Sequence, residues 1–241
     1  MAAKRGHPAR SPTWRSLAIR YPPHLDRGSS SGTGEPTVIY DAGAGSSGIS
    51  GLRSNPVRTA VAPITRICSY DRAGIGQSTE PADRPRVLDD VVDDLHALLA
   101  AADVAPPYLL MGESGGGFDV YHQAGRYPDE VAGIIMLDVP AGQVDIAPTE
   151  ISAWDSPDNP EHMDYHAVEH QMAVERLPIP AVPVTVLTAT EGQSADPAEQ
   201  LIWLEGSSDG QQLIVPSGHD IVSENTDAVI GAITDMLAKI G

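Results

Sequence analysis

Cysteine, long apolar runs and positive charge are all scarce in this sequence. Cys68 is the single cysteine, so no disulfide can form within the chain, and we expect a reducing compartment. No apolar run approaches the ~18 residues that a membrane-spanning helix needs, and the first residues lack the apolar stretch of ~7 to 15 residues found in signal peptides. We therefore expect a cytoplasmic chain without a membrane span.

The shortage of positive charge bears on possible partners. The chain has 15 Lys and Arg against 33 Asp and Glu, a formal net charge of -18 at pH 7. Such a chain repels phosphate backbones and anionic membranes. We therefore expect no nucleic-acid partner and favour a neutral small-molecule substrate, because an anionic one would approach slowly. The sequence leaves the oligomeric state open.

Residues 1–35 differ in composition from the rest of the chain. They contain six Lys or Arg and two Asp or Glu, together with clustered Pro, Gly and Ser, whereas residues 36–241 contain nine basic and thirty-one acidic residues. We predict that residues 1–35 form a loose basic arm, with one edge strand at 16–21. Residues 36–241 are long enough to form one globular domain.

Short apolar runs alternate with amphipathic stretches after residue 36. The runs predict strands at 37–40, 66–70, 108–111, 132–137, 184–187 and 212–215. Apolar spacings of three and four predict helices at 87–102, 117–127, 160–175, 198–204 and 226–240. Strands separated by helices indicate an α/β fold with a mostly parallel central sheet and helices on both faces. Because ligands bind beyond the carboxyl ends of parallel strands, we look for the site there.

The pattern Gly-x-Ser-x-Gly occurs twice, around Ser114 and around Ser208. Ser114 follows a predicted strand and precedes a predicted helix, which is the context of a nucleophile elbow. Ser208 lies between a predicted helix and a predicted strand, so we interpret it as a loop serine. Ser114 is the candidate nucleophile, and a glycine-rich anion-binding turn is the alternative there.

Two backbone groups are candidates for an oxyanion hole. The N–H of Gly115 lies at the start of the helix after Ser114, and the N–H of Ala44 lies in a glycine-rich turn after the strand 37–40. That turn also matches the dinucleotide-binding pattern Gly-x-Gly-x-x-Gly from Gly43 onward. The acid Asp71, however, follows Gly43 by 28 residues instead of about 20, so we favour the oxyanion hole.

A serine nucleophile needs a neutral imidazole as base and an acid to orient it. His219 is the histidine that lies just past a predicted strand, so we predict that it is the base. For the acid we favour Asp138, which ends the strand 132–137. Asp196 and then Glu191, after the next strand, remain as alternatives.

Taken together, these residues resemble the α/β-hydrolase fold superfamily, and in particular its serine esterases and lipases. The resemblance rests on the segments 41–45, 70–78, 112–116, 137–138 and 217–219 and extends from about residue 36 to residue 241. It implies that 71–78 form a structural turn and that 141–181 form a short cap. Glu113 stands where such elbows usually have histidine.

A second motif suggests different chemistry. His162, His166 and His170 recur every four residues, and the segment 166–170 matches the zinc-peptidase pattern His-x-x-Glu-His, with Glu169 as its acid. If 160–175 is one helix, the three histidines share a face. A zinc-dependent hydrolase that uses His166, Glu169 and His170 is therefore an alternative.

The sequence analysis thus predicts a serine hydrolase without a metal or cofactor. It would cleave a carboxylic ester, thioester, lactone or amide through an acyl-enzyme on Ser114. Candidate substrate-binding residues are Gly43, Glu113, Trp154 and Met163. A non-catalytic ligand-binding protein on the same fold is a further alternative, since a fold does not by itself confer activity.

Overall fold

The computed structural model describes residues 27–143, 152–192 and 196–241. These residues form one seven-stranded sheet in the order β1-β3-β2-β4-β5-β6-β7. The strands are β1 (Arg27–Ser31), β2 (Thr37–Asp41), β3 (Ile67–Asp71), β4 (Tyr108–Glu113), β5 (Val131–Leu137), β6 (Pro183–Glu191) and β7 (Asp209–Gly218). Strand β1 is antiparallel to β3, and all other pairs are parallel. The predicted α/β class is confirmed.

Seven α-helices accompany these strands in the described residues. They are α1 (Gly48–Arg53), α2 (Pro56–Val61), α3 (Leu88–Ala101), α4 (Gly115–Arg126), α5 (Tyr165–Val174), α6 (Ile221–Glu224) and α7 (Thr226–Ile240). Two 3-10 helices span Pro128–Glu130 and Pro197–Leu204. None of the helices in the described ranges is long and apolar enough to cross a membrane.

The central strands of the sheet are buried on both faces. Along β4, Leu110 packs into the cluster that includes Leu95 of α3, while its neighbours Leu109 and Met111 pack into the cluster that includes Ile233 of α7. Every residue of β4 is buried, which is why this strand is apolar at consecutive positions instead of alternate ones. Burying each such side chain contributes about 1.5 to 3 kcal/mol, so the strand is rigid where the candidate nucleophile follows it.

The amino-terminal part of the sheet differs from the prediction. The sequence analysis assigned residues 1–35 to a loose arm, but Arg27–Ser31 pair with β3. Their sequence, RGSSS, contains no apolar run by which the strand could be recognised. An edge strand does not need one, because backbone hydrogen bonds to its neighbour can hold it. The edge strand predicted at 16–21 lies outside the described residues.

Two predicted helices also differ from what was expected. The helix predicted at 160–175 begins only at Tyr165, because Asp164 caps it by accepting a hydrogen bond from the Ala167 N–H at 3.1 Å. The helix predicted at 198–204 is a 3-10 helix. The short helices α1, α2 and α6 were not predicted, since four to six residues are too few to show helical periodicity.

Candidate active site

Ser114 lies in a strained turn between β4 and α4. Its backbone has φ 50 and ψ -124, a conformation that costs a non-glycine residue about 1 to 3 kcal/mol. The turn is held by a hydrogen bond from the Ser114 N–H to the Leu137 carbonyl at 3.0 Å and another from the Gly117 N–H to the Ser114 carbonyl at 2.9 Å. This is the geometry of a nucleophile elbow.

Close backbone approach explains the glycines of the motif. A Cβ at Gly112 would lie 2.7 Å from the Gly117 Cα, and a Cβ at Gly116 would lie 2.6 Å from the Asp41 carbonyl oxygen. Side chains at these two positions would therefore push α4 away from β4 and β2. The pattern Gly-x-Ser-x-Gly thus reflects the tight packing that places Ser114 at the carboxyl edge of the sheet.

The candidate base and acid are in direct contact. His219 Nδ1 lies 2.6 Å from Asp138 Oδ2, and the Asp138 side chain is fully buried. The hydrogen bond that Nδ1 donates to the Asp138 carboxylate raises the pKa of His219 above its ordinary value. With Nδ1 bound to the carboxylate, Nε2 is the ring nitrogen left to take a proton from a serine hydroxyl.

Several groups fix the Asp138 carboxylate. Oδ1 accepts hydrogen bonds from the Ala189 N–H at 3.2 Å and from Gln200 Nε2 at 3.0 Å. The Asp138 N–H donates to the Leu187 carbonyl at 2.8 Å, and its backbone has φ 44. Gln200 is itself buried and accepts from the Thr188 hydroxyl at 2.7 Å. The sequence analysis did not identify Gln200, because a glutamine in an amphipathic stretch has the appearance of a surface residue.

The two alternative acids lie elsewhere. Asp196 caps the 3-10 helix that follows it, accepting a hydrogen bond from the Ala198 N–H at 2.8 Å. Glu191 is exposed at the end of β6. Of the three candidates for the acid, the structure brings Asp138 to His219.

Ser114 and His219 line the same cavity, which has a volume of about 470 Å³. Its wall also includes three residues of the turn after β2, Ala42, Gly43 and Ala44, and the carboxylate residues Glu113 and Asp220. No Lys or Arg is among the described residues that line it. The described lining thus contains acidic residues without a basic one, and this charge repels anions.

The turn after β2 lies against the elbow. A Cβ at Gly43 would be 3.4 Å from Ser114 Cβ, and a Cβ at Gly115 would be 3.2 Å from the Ala44 nitrogen. The neighbouring Ser46 N–H donates to the Gly43 carbonyl. Among the described residues the Ala44 N–H has no hydrogen-bond acceptor, and the Gly115 N–H lies at the first position of α4, where no intrahelical acceptor exists. Both groups are thus free to donate to an oxyanion.

Glu113 occupies a buried position behind the nucleophile. Its carboxylate accepts hydrogen bonds from Tyr40 Oη at 2.8 Å and from the Val222 N–H at 3.3 Å. Burial raises the pKa of Glu113 to about 7, assisted by the charge of Asp220. Glu113 therefore ties the elbow to α6, which follows His219 closely, and it titrates near neutral pH.

The two predicted substrate-binding residues of the predicted cap segment, Trp154 and Met163, do not line this cavity. Met163 is buried in the core beside α3 and α4, and Trp154 packs edge-on against the ring of His162 with their centroids 5.6 Å apart. Gly43 and Glu113, which were also predicted, do line it.

The three histidines of the zinc motif, His162, His166 and His170, do not all lie on one helix. His162 precedes α5, with φ 54, and its Nδ1 lies 3.0 Å from the Ala82 carbonyl oxygen. Glu169 accepts a hydrogen bond from the Gln143 N–H at 3.0 Å. Within residues 27–143, 152–192 and 196–241, no three His, Cys, Asp or Glu side chains are grouped as metal ligands. The described residues thus offer no ligand set for the zinc alternative.

Comparison with known proteins agrees with this architecture. A family model for the alpha/beta hydrolase fold matches residues 54–169. The uncharacterized protein YqjL of Bacillus subtilis (strain 168) is 33% identical over 111 residues, which cover 46% of this chain and 42% of YqjL. The chain matches less than half the length of its curated relatives.

Solved structures of similar fold cover almost the whole chain. The enol-lactonase from Burkholderia xenovorans LB400 superposes with a TM-score of 0.70 at 17% identity, covering 88% of this chain and 96% of the lactonase. A thermophilic esterase from Thermogutta terrifontis gives 0.69 at 20% identity, with 89% and 93% covered. The sheet order, the elbow and these matches together show that the chain has the α/β-hydrolase fold.

Proposed function

We propose that this protein is a serine hydrolase that cleaves a neutral carboxylic ester, thioester, lactone or amide through an acyl-enzyme on Ser114. The observation that carries the proposal is the contact of His219 Nδ1 with the buried Asp138 carboxylate, on the wall of a cavity that also contains the elbow serine. A buried carboxylate on Nδ1 orients the imidazole and stabilises the imidazolium that forms when a histidine acts as general base.

The proposed reaction has two halves. Ser114 Oγ attacks the substrate carbonyl carbon while His219 Nε2 takes the hydroxyl proton, and the Ala44 and Gly115 N–H groups donate to the oxyanion of the tetrahedral intermediate. The carbon–leaving-group bond then breaks, and His219 gives its proton to the leaving group. Water attacks the acyl-enzyme in the same way, which releases the carboxylic acid and restores the Ser114 hydroxyl. Asp138 stays ionised throughout and stabilises the imidazolium.

Two further observations support the substrate class. The carboxylates of Glu113 and Asp220 on the cavity wall, without a basic residue among the described lining, disfavour an anionic substrate. The proteins of similar fold include a lactonase and an esterase, which are enzymes that act on carbonyl carbon. The proposal needs no metal or cofactor, and it includes a cytoplasmic location on the strength of the single cysteine.

A labelling experiment tests the mechanism. A fluorophosphonate probe should attach covalently to Ser114 of the purified protein, and Ser114→Ala should abolish both labelling and turnover of a panel of short- and medium-chain esters. Ser208→Ala is the matched control, because Ser208 has the same sequence motif but precedes β7, and it should retain both. Full turnover in Ser114→Ala would disprove the mechanism, and loss of turnover with a chelator would indicate a metal hydrolase.

A further inference from the structure

Arg72, directly after β3, holds the turn that carries the candidate oxyanion donor. Its side chain is 4% exposed. The guanidinium donates to the Ala42 carbonyl at 2.6 Å and to the Gly43 carbonyl at 2.8 Å. The Gly43 carbonyl belongs to the same peptide group as the Ala44 N–H, so Arg72 holds the donor's own peptide group and the one before it.

Glu161 holds the same turn from the other side. Its side chain is 2% exposed, and it belongs to the cap segment 141–181. Oε1 accepts a hydrogen bond from the Gly45 N–H at 2.6 Å, and the carboxylate also accepts from Arg72 Nε at 2.5 Å and Nη2 at 3.0 Å. Ala44 is thus flanked by peptide groups that Arg72 and Glu161 hold, while its own N–H is left for a ligand.

The surroundings keep both side chains charged. Burial alone would raise the pKa of Glu161, but the adjacent Arg72 charge holds it below its ordinary value. Arg72 is also bonded to the Asp41 carboxylate and lies 3.6 Å from Asp119. Burial raises the pKa of Asp119 well above its usual range, so Asp119 takes up a proton more readily than an exposed aspartate. A guanidinium with every nitrogen paired is rigid, whereas an ammonium has fewer and less directional donors.

We propose that Arg72 and Glu161 are positioning residues for the oxyanion hole, so that the chain around Glu161 and the turn after β2 act as one unit during acyl transfer. This inference rests on the proposed serine-hydrolase function. Oxyanion donors are effective because they are already in place when charge develops. Since Arg72 and Glu161 together engage Ala42, Gly43 and Gly45, loss of either should displace the Ala44 N–H.

The first test is Arg72→Lys in the 241-residue chain. Lysine keeps the charge but cannot bond two carbonyls and two carboxylates together. We expect kcat for a neutral ester to fall about 10- to 100-fold with KM nearly unchanged, because the lost interaction acts in the transition state. The affinity for a trifluoromethyl ketone, which forms a tetrahedral oxyanion adduct with the serine, should fall by a similar factor. The affinity for the alcohol product should not change.

Glu161 gives a second test that does not depend on how Arg72→Lys folds. Glutamine at 161 keeps an oxygen that can accept from the Gly45 N–H, whereas alanine does not. The expected order of kcat is therefore wild type, then Glu161→Gln, then Glu161→Ala. A purely structural role would lower the melting temperature of both variants without this ordered loss of kcat and ketone affinity.

Arg58→Lys is the matched control. Arg58 is also a buried arginine, but it donates to the hydroxyls of Ser29 and Ser31 at the β1 edge and does not line the cavity. It should keep the wild-type kcat. An equal loss in Arg58→Lys, or an unchanged kcat in Arg72→Lys and Glu161→Ala, would overturn this inference alone. Failure of the wild-type protein to hydrolyse esters or to be labelled at Ser114 would overturn the proposed function as well.

Discussion

His219 Nδ1 lies 2.6 Å from the fully buried Asp138 carboxylate, although 81 residues separate them in the chain. The contact joins the end of β5 to the loop after β7, with β6 between them in the sheet. It is possible because Asp138 follows β5 directly and because the Ala189 N–H, at the end of β6, helps to hold the carboxylate.

The first prediction concerns the identity of the acid. Asp138→Asn should lower kcat by a factor on the order of 10⁴, because the amide cannot stabilise the imidazolium and favours the wrong tautomer. Asp196→Asn is the control, since the Asp196 carboxylate accepts a hydrogen bond from the Ala198 N–H as a helix cap and lies away from His219. Ester hydrolysis by the two purified variants decides the matter, and a large loss in Asp196→Asn with little loss in Asp138→Asn would contradict the assignment.

The second prediction concerns pH. The base must be neutral, so kcat/KM should fall as the pH drops below the pKa of His219. The Asp138 hydrogen bond raises that pKa, and Asp138→Asn should therefore move the acid limb of the profile to lower pH while lowering its plateau. A profile of kcat/KM from about pH 4 to about pH 9 measures both changes. An acid limb that stays in place would mean that another group controls it.

Much of this site could be predicted from the sequence, for a physical reason. Ser114, His219 and Asp138 each follow a strand that is recognisable from its apolar run, and parallel strands end at one edge of a sheet. The strand pattern therefore predicted that three residues far apart in the sequence lie close together in the fold. The same logic led to the turn at Gly43 and Ala44, and the structure places that turn against Ser114.

Other parts could not be predicted because they depend on tertiary contacts. A buried arginine such as Arg72 cannot be distinguished in the sequence from a surface one, and its partner Glu161 is 89 residues away. The histidine spacing at 162, 166 and 170 suggested one helix face, but the Asp164 cap starts α5 after His162. Trp154 and Met163 were assigned to the substrate pocket from their apolar character, which is equally suited to packing.

The third prediction concerns the buried acid behind the nucleophile. Burial raises the pKa of Glu113 from 4.5 to about 7, so the folded protein binds this proton more tightly than the unfolded chain does. That contribution to stability is complete below pH 4.5 and is lost as the pH rises through 7. At about 1.4 kcal/mol per pKa unit, the loss is about 3 kcal/mol.

Glu113→Gln tests this linkage, because glutamine keeps the shape and an acceptor for Tyr40 but cannot ionise. The free energy of unfolding of the wild type, relative to the variant, should fall by about 3 kcal/mol between about pH 4 and about pH 8. Urea unfolding at several pH values gives the difference. If the two proteins keep a constant difference across this range, Glu113 does not titrate as described.

The fourth prediction contrasts two glycines. At Gly112, a Cβ would lie 2.7 Å from the Gly116 carbonyl carbon and the Gly117 Cα, and both are backbone atoms that cannot yield without moving α4. Gly112→Ala should therefore lower the free energy of unfolding by about 1 to 3 kcal/mol, as overpacking does, and should also impair turnover because Ser114 moves with the helix.

At Gly231 in α7, a Cβ would meet nothing within 4 Å. Gly231→Ala should raise stability by about 1 kcal/mol, since alanine favours the helix, and should leave kcat unchanged. Thermal unfolding and ester turnover of both variants measure the contrast, and equal effects at the two sites would show that close packing at the elbow is not what requires Gly112.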